Sequence, residues 1–264
     1  MSRLIIPPFV GSGTPPKYGK AAYDETALLE PNLLIPGDTP IGSIRIAHND
    51  PALLGYWLFR DSKIPNLVDN VGVFNIGGNA YLEPSNGYVL SRGDDVIKMV
   101  PVYLFPSSNY EITLIIKFFI TTSDQTDHQL IACSDDGGSR DWTFYKATPS
   151  GGSKLIWSPN PGSSNTVESD SALTLQTWHT AVCITDRINS RMFLDGVLQS
   201  NTEAVTAITT PAWRYLWVGQ RGDSASVLKL DGKIRYLKVF LRGLSDGEVS
   251  AELSDPHWRL TLAG

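Results

Sequence analysis

A regular alternation over twelve residues constrains the fold of this chain more than any other feature. From Tyr110 to Thr121, every second side chain is apolar or aromatic, and the intervening set also includes Ile115 and Phe119. A period of two is typical of a β-strand, whereas an amphipathic helix repeats its apolar positions every three to four residues. Because both sides carry apolar residues, the pattern predicts a central strand of a β-sandwich that is partly covered on both faces.

Further strand-like runs follow, and dipeptides that favour turns separate them. Asp195-Gly196 lies between two runs, and Asp-Gly favours the type I′ turn of a tight hairpin. Asp231-Gly232 is predicted to form a turn as well. The predicted strands are 129–133, 142–146, 154–157, 178–185, 191–194, 197–198, 215–218 and 233–241. Short strands with turn signals predict an all-β sandwich or barrel rather than alternating βαβ units.

One short helix is predicted near the C-terminus. Ser245 and Glu248 have the spacing of a capping box, in which each side chain accepts a hydrogen bond from the other residue's backbone N–H. Val249 and Leu253 then lie four residues apart on one helix face, and Pro256 ends the segment.

The chain divides into an extended N-terminal arm, residues 1–45, and one domain, residues 46–264. Prolines at positions 7, 8, 15, 16, 31, 36 and 40 interrupt every periodic pattern in the arm, apart from a short helix expected from Lys20 to Glu30. The arm also carries large apolar residues that favour burial: Leu4, Ile5, Ile6, Phe9, Val10, Leu33, Leu34 and Ile35. We expect it to dock on a neighbouring subunit or on its own domain, and the former would build a homo-oligomer.

Charge and hydropathy exclude several classes of partner. The formal net charge is −5, from 22 basic and 27 acidic residues, and no run of Lys or Arg occurs, which argues against a nucleic-acid surface. No apolar run approaches the roughly 20 residues that span a membrane. The apolar run Leu4–Ile6 ends at Pro7, short of the about 7–15 residues of a signal peptide, so we expect no ordinary secretion signal.

The two cysteines, Cys133 and Cys183, both lie in strand-like segments. We expect them to be buried free thiols in a reduced compartment. A disulfide would require neighbouring strands, which the sequence does not reveal.

Several motifs resemble the laminin-G-like family. The segment 178–185, followed by 191–198 with Asp195-Gly196, resembles the family's "W-h-h-v-A-v-t-y … l-y-v-D-G-v-l" core. Leu216–Gly219 resembles its "l-x-i-G" strand, and 230–245 with Glu248 resembles its closing motif, although Arg235-Tyr236 replaces the usual acidic pair. The motifs cover about residues 105–255, and Gly55–Phe59 matches the family's first strand. The resemblance implies a concanavalin A-like jelly roll of two antiparallel sheets, with about six or seven strands each.

This fold also occurs in glycoside hydrolases, but the chain lacks their carboxylate pattern. Retaining hydrolysis needs two carboxyl groups about 5–5.5 Å apart, which a strand supplies as alternate acidic residues on one face. Glu111 stands alone, and Asp94-Asp95 and Asp135-Asp136 are adjacent pairs whose side chains would point to opposite sides of a strand. The four histidines show no metal-binding spacing. We expect no catalytic residues, no metal and no cofactor.

Aromatic and acidic residues near loops are the candidates for ligand binding. Exposed aromatic rings at strand ends stack on sugar rings, although such rings are more often part of a sandwich core. The glycan-binding candidates are Trp142, Tyr145, Trp157, Trp213 and Tyr215. Loop carboxylates offer hard oxygen ligands for calcium, without a regular spacing, at Asp124, Asp127, Asp135, Asp136 and Asp223. Calcium at these loops is therefore the alternative to the absence of metal.

Single domains with Pro-rich arms resemble structural proteins of phage particles, such as tail, fibre or head-decoration components. The sequence therefore favours a non-enzymatic virion protein, whose arm docks to other virion proteins and whose jelly roll is displayed for adhesion to surface glycans. The alternatives are an extracellular lectin-like module and a divergent glycoside hydrolase.

Overall fold

The computed structural model describes residues 46–48, 50–59, 74–77, 80–83, 87–91, 96–99, 105, 110–121, 127–134, 140–148, 153–160, 165–204, 208, 215–220, 229–254 and 260–262. The arm, residues 1–45, and the helix expected within it lie outside these ranges. Trp213 and four of the loop aspartates, Asp124, Asp135, Asp136 and Asp223, also lie outside them.

Eighteen strands and one helix are formed by the described residues. The strands are β1 Ile46–His48, β2 Leu53–Leu58, β3 Phe74–Gly77, β4 Tyr81–Glu83, β5 Gly87–Ser91, β6 Val96–Met99, β7 Ile112–Ile120, β8 His128–Ser134, β9 Arg140–Ala147, β10 Lys154–Ser158, β11 Val167–Glu168, β12 Trp178–Thr185, β13 Asn189–Leu194, β14 Val197–Leu198, β15 Glu203–Ala204, β16 Tyr215–Val218, β17 Asp231–Phe240 and β18 Leu260–Leu262. The helix, α1, spans Asp246–Ser254. The described helix is too short and too polar to cross a membrane.

The strands form two large antiparallel sheets and a two-stranded ribbon. The seven-stranded sheet has the order β11-β10-β9-β8-β16-β6-β3. The nine-stranded sheet runs β14-β13-β12-β7-β17-β5-β4, with β15 paired to β13 and β2 paired to β17, while β1 pairs with β18. This is the all-β sandwich predicted from the sequence. Its larger sheet has nine described strands, whereas the family resemblance implied about six or seven in each sheet.

The main core lies between the two large sheets. From β7 it receives the alternating set predicted from the sequence, including Leu114, Ile116 and Phe118, and from the opposite sheet it receives Ile131, Phe144 and other apolar residues. A second cluster lies on the outer face of the nine-stranded sheet and includes Ile115, Phe240 and Val249 of α1. One end of β7 is therefore covered on both faces, as predicted.

Helix α1 begins with the predicted capping box. The Ser245 hydroxyl accepts a hydrogen bond from the Glu248 backbone N–H at 3.4 Å, and Glu248 accepts one from the Ser245 N–H at 2.9 Å. Val249 is fully buried against the sheet, and Leu253 packs at the edge of the same cluster. The predicted helix is thus confirmed.

The two Asp-Gly dipeptides differ in structure. Asp195 and Gly196 both have positive φ values, 50° and 83°, as the type I′ hairpin between β13 and β14 requires. In contrast, the predicted turn at Asp231-Gly232 is wrong, because both residues lie inside β17. A Cβ atom at Gly232 would come within 2.0 Å of the Phe119 carbonyl oxygen, so glycine permits close approach of β7 at this point.

Both cysteines are fully buried thiols and do not form a disulfide with each other, as predicted. Cys133 lies in β8 and Cys183 in β12, on opposite sheets of the sandwich. Burial raises the pKa of the Cys183 thiol well above its usual value, which keeps it protonated and unreactive.

Candidate functional site

Two of the predicted sugar-stacking residues, Trp142 and Trp157, are core residues. Both are fully buried, and their ring centroids lie 5.8 Å apart. The Trp142 indole donates a hydrogen bond to the Tyr110 hydroxyl, and the Trp157 indole donates one to the Thr185 hydroxyl. The prediction that these two rings stack on sugars is therefore corrected, because both side chains lie in the core between the two sheets.

The other two described candidates, Tyr145 and Tyr215, lie on the outer face of the seven-stranded sheet. Each is half-buried. Successive side chains of a strand point to opposite faces of the sheet. Because Phe144 and Leu216 point into the core, their neighbours Tyr145 and Tyr215 point away from it. Trp213 lies outside the described residues, so the five candidates divide into two in the core, two on this outer face and one not described.

Tyr215 belongs to an aromatic and cationic group that we call the Tyr215 cluster, made of Lys98, Tyr215 and Trp217. The Tyr215 and Trp217 rings meet edge to face, with centroids 6.0 Å apart. The Lys98 ammonium lies 3.6 Å from the Tyr215 ring centroid and 4.3 Å from that of Trp217. Both distances fall within the about 6 Å over which a cation is attracted to a ring face.

Strand pairing extends this group across the sheet in a single row. Trp217 of β16 pairs with Lys98 of β6 on one side and with Ala132 of β8 on the other. Ala132 pairs in turn with Thr143 of β9. The Thr143 side chain is fully buried, and its hydroxyl has no hydrogen-bond partner in the part of the chain that the structure describes. The row thus combines one aromatic ring, a cation and a buried hydroxyl that has no partner among the described residues.

Lys98 and Trp217 were not among the residues selected from the sequence. Trp217 follows Tyr215 at a spacing of two, so alternation alone would have placed the two rings on one face. Lys98 joins them only through the pairing of β6 with β16, which no local pattern reveals.

Several described carboxylates form structural contacts. Glu111 accepts a hydrogen bond from the Gly243 N–H at 3.0 Å and lies 3.5 Å from the Arg187 guanidinium. Asp50 and Glu248 bind the same guanidinium, that of Arg242. Hydrogen bonds from the Arg242 guanidinium to Glu248 and Asp50 outweigh the effect of burial and raise its pKa, so the guanidinium stays charged.

His179 also has a structural position. Its Nε2 atom lies 2.6 Å from the Thr174 carbonyl oxygen, within hydrogen-bond distance. Its Nδ1 atom lies 2.6 Å from the Asp195 carboxylate of the β13–β14 hairpin. The ring therefore ties the start of β12 to this hairpin. No group of three metal-binding side chains occurs within the described ranges.

Comparisons with known proteins agree with this architecture. A family model described as the concanavalin A-like lectin/glucanases superfamily matches residues 91–250, which is more than half of the chain. A comparison with curated protein sequences gave no match.

Two solved structures illustrate the similarity of fold. A Trypanosoma rangeli sialidase, in complex with 2,3-difluoro-KDN, has a TM-score of 0.60 and 14% identity; the match covers 78% of this chain and 33% of the sialidase. Domain 4 of AbnA, a GH43 extracellular arabinanase from Geobacillus stearothermophilus, in complex with arabinotriose, has a TM-score of 0.55 and 16% identity, with coverages of 75% and 97%.

At such low identity, these matches show the fold alone. The chain spans about a third of the length of the sialidase and nearly all of the arabinanase domain. Together with the two-sheet sandwich and the family match, they confirm the laminin-G-like resemblance. The chain belongs to the concanavalin A-like lectin/glucanases superfamily.

Proposed function

We propose that this protein is a non-enzymatic carbohydrate-binding domain that serves adhesion. The observation that carries this proposal is the Tyr215 cluster, in which a half-buried ring and a lysine share the outer face of a rigid sheet. The apolar face of a sugar ring packs on an aromatic side chain, and an ammonium group donates hydrogen bonds to sugar hydroxyls. Strands hold such groups more accurately than loops do.

Tyr145 lies on the same outer face but towards the other end of β8, since it pairs with Gln129 whereas Tyr215 pairs with Ser134. It lies in β9 on the outer face, next to Gln129 of β8 and Ile156 of β10. Gln129 is buried, and its amide group donates hydrogen bonds to the Ile131 and Phe144 carbonyls. These hydrogen bonds stabilise the sheet and do not contact a ligand. Among the described residues, the two half-buried tyrosines are therefore the aromatic candidates for ligand contact on this face.

The contacts of the carboxylates favour binding over hydrolysis. A glycosidase needs one carboxyl group to donate a proton and a second to act as nucleophile or base. In this chain Asp50 and Glu248 are joined through Arg242, and Glu111 caps a backbone N–H. A divergent glycoside hydrolase would require its acid pair elsewhere.

We further propose that the protein belongs to a phage particle, with the tail, a fibre and the head decoration as candidate locations. A displayed sandwich with a Pro-rich apolar arm suits anchorage through residues 1–45 and adhesion through the jelly roll. The competing proposal is a cellular lectin-like module, located outside the cell, with the same binding face but without docking to a particle.

Glycan binding is tested by screening the purified protein on a glycan array and measuring affinity by calorimetric titration. We expect Tyr215→Ala to weaken binding by about tenfold or more, since an aromatic contact contributes roughly 0.5–1.5 kcal/mol beyond its area. Ile188→Ala, at a residue that is 78% exposed in the turn before β13, is the control and should bind as wild type. Absence of binding to every glycan, or equal binding by Tyr215→Ala, would refute the proposal.

The docking role of the arm is tested separately. Deleting residues 1–45 should leave a folded domain with unchanged β circular dichroism and a monomeric mass in solution, whereas the full chain should form a larger assembly. If both chains have the same assembly state, the docking role is wrong; if the truncated chain unfolds, the arm belongs to the core. Release of reducing ends from β-glucans, chitin or alginate, abolished by Glu111→Gln, would instead support a hydrolase.

A further inference from the structure

Two exposed apolar side chains lie together in the hairpin at one edge of the nine-stranded sheet. Val197 and Leu198 of β14 are 64% and 44% exposed, whereas most large apolar side chains of the described strands are buried. Leu253 of α1 lies beside them, since its Cδ1 atom is 4.0 Å from the position of a Cβ atom at Gly196. We call Val197, Leu198 and Leu253 the β14 patch. Adjoining apolar residues that are exposed at a sheet edge are typical of an interaction surface.

The hairpin presents this patch on a fixed backbone. Asp195 and Gly196 form its type I′ turn, and the Asp195 carboxylate accepts a hydrogen bond from the Thr180 N–H at 2.8 Å. The same carboxylate lies 2.6 Å from Nδ1 of His179, whose side chain is only 8% exposed. A partner that binds a fixed surface loses less conformational entropy than one that must order a loop. The β14 patch is therefore preorganised for contact.

The backbone that follows the patch is already hydrogen-bonded within the chain. The Asp170 carboxylate accepts hydrogen bonds from the Ser200 N–H at 3.0 Å and from the Ser200 hydroxyl at 2.6 Å. The Asn165 amide donates one to the Ala204 carbonyl at 2.9 Å. Because these contacts occupy the edge after β14, edge-to-edge pairing with the same strand of a second copy is disfavoured. The patch is therefore suited to contact through its side chains.

The arm joins the domain at the opposite end of β13. The Arg242 guanidinium donates a hydrogen bond at 2.9 Å to Asp50, which follows β1 closely in the chain. At Gly243 a Cβ atom would lie 2.6 Å from the Asp186 Cβ, so the chain here contacts the turn that precedes β13. The six residues of β13, Asn189–Leu194, extend from this turn to the patch over roughly 20 Å. The arm of each copy therefore begins well away from its own β14 patch.

The arm carries a run of three large apolar residues, Leu33–Ile35, between Pro31 and Pro36. Proline-rich segments extend by about 3.1 Å per residue, so the 15 residues from Ile35 to Asp50 reach roughly 45 Å. This reach is about twice the distance along β13 from the root of the arm to the patch. An extended segment therefore passes the β14 patch of its own copy and reaches that of an adjoining copy.

We propose that Leu33–Ile35 of one copy docks on the β14 patch of a second copy, where its side chains pack on Val197, Leu198 and Leu253. This inference rests on the docking role proposed above for the arm, and it adds the surface that receives the arm. The docking segment and the patch are different surfaces, so the contact is heterologous. Repeated around a rotation axis, such contacts close a ring of copies.

Paired cysteine substitutions in the full chain test this contact directly. Both native cysteines are fully buried, so introduced thiols on the surface are the ones that react. A chain with Leu34→Cys and Leu198→Cys should form covalent multimers under mild oxidation, seen on a non-reducing gel. The matched control combines Leu34→Cys with Lys154→Cys, at a partly exposed residue of β10 in the other sheet, and should stay largely uncrosslinked.

Substitution of the patch gives a second measurement. Val197→Asp with Leu198→Asp places two charges where apolar contact is proposed, and should weaken assembly by about tenfold or more, measured from the mass in solution over a range of protein concentrations. Ile188→Asp is the matched control, because Ile188 is an apolar residue that is 78% exposed just before β13, at the end away from the patch, and it should assemble as wild type. Urea midpoints identify variants that misfold, and Leu198→Ser alone then serves in their place.

Several outcomes would overturn this inference. An internal disulfide in a monomer would assign the arm to its own domain, and equal multimer formation by the Lys154→Cys control would show unspecific contact. If deletion of residues 1–45 abolishes assembly but the patch substitutions do not, the arm docks on another surface, and only this inference fails. If the full chain is itself monomeric, the docking role proposed for the arm fails as well.

Discussion

Helix α1 is attached to the sheet through an ion pair that is almost completely buried. The Lys238 ammonium lies 2.7 Å from the Glu252 carboxylate, and their side chains are only 1% and 2% exposed. The ammonium also lies 4.6 Å from the Tyr56 ring centroid. At this burial, water does not screen the pair, so the protein itself must compensate the two charges, and each charge does so for the other.

Removing one charge should therefore cost much more than removing both. Glu252→Gln keeps the volume of the side chain but removes the negative charge that lies 2.7 Å from the buried Lys238 ammonium, and we expect a loss of about 3–5 kcal/mol in the free energy of unfolding. A domain is stable by only about 5–15 kcal/mol, so this is a large share of the total. The double variant Lys238→Met with Glu252→Leu should be neutral, or more stable by up to about 4 kcal/mol.

The assay is urea unfolding followed by circular dichroism, with free energies compared in a double-mutant cycle. The control is Glu168→Gln, which breaks the exposed pair with Lys154, where the charged atoms are 3.7 Å apart and the side chains 25% and 38% exposed. That change should cost less than about 1 kcal/mol. A loss below 1 kcal/mol for Glu252→Gln, or a double variant as unstable as the single one, would refute the argument.

Three further predictions concern single positions. Gly196→Val, at φ 83°, should lose roughly 1–3 kcal/mol by urea titration because a β-branched residue is strained there; an unchanged midpoint would contradict it. Thr143→Val should be neutral or stabilising by up to about 1 kcal/mol, since it removes a buried hydroxyl without a partner among the described residues; clear destabilisation would show that this hydroxyl is bonded. Burial raises the pKa of Asp186, but hydrogen bonds from the N–H groups of Asn189 and Ile188 and from the Arg191 guanidinium outweigh this effect and lower the pKa. The ionised carboxylate therefore stabilises the fold fully above the unfolded-state pKa. This stabilisation is lost as the pH falls through the lower folded-state pKa. Asp186→Asn should therefore lose roughly 1–2 kcal/mol at pH 7, a difference that urea titrations should find to shrink below about pH 4; a difference independent of pH would contradict it.

Local patterns predicted the elements that depend on neighbours in sequence. The alternation from Tyr110 to Thr121 gave β7, and the Ser245 and Glu248 spacing gave the start of α1. The Asp195-Gly196 hairpin was likewise predicted, because its turn is determined by two residues. Asp231-Gly232 is the same dipeptide but lies inside a strand. Glycine is needed there because the backbone of Gly232 approaches the Phe119 carbonyl too closely for a Cβ atom. Such an approach depends on the partner strand, so the neighbouring residues in the sequence do not reveal it.

The candidate site was predicted only in part, for a related physical reason. Alternation assigns side chains to two faces but does not say which face is inside when both carry aromatic residues. Trp142 and Trp157 therefore looked like Tyr145 and Tyr215 in sequence, although the first two are in the core. Lys98 joins the Tyr215 cluster through pairing of strands that are distant in the chain. The register of distant strands supplies this information, and one sequence alone does not.

The length of α1 limits how much of the outer face of the nine-stranded sheet this helix can cover. Nine helical residues extend for about 14 Å, whereas the nine residues of β7 extend for about 30 Å. Even if it lay parallel to β7, the helix would cover about half of that strand's outer face. Ile115 falls in the covered half at 2% exposure, whereas Phe119, four residues along the same face, is half-buried beside Trp178. Because the helix begins at its capping box and ends at Ser254, α1 itself does not cover the end of β7 that lies beside Trp178.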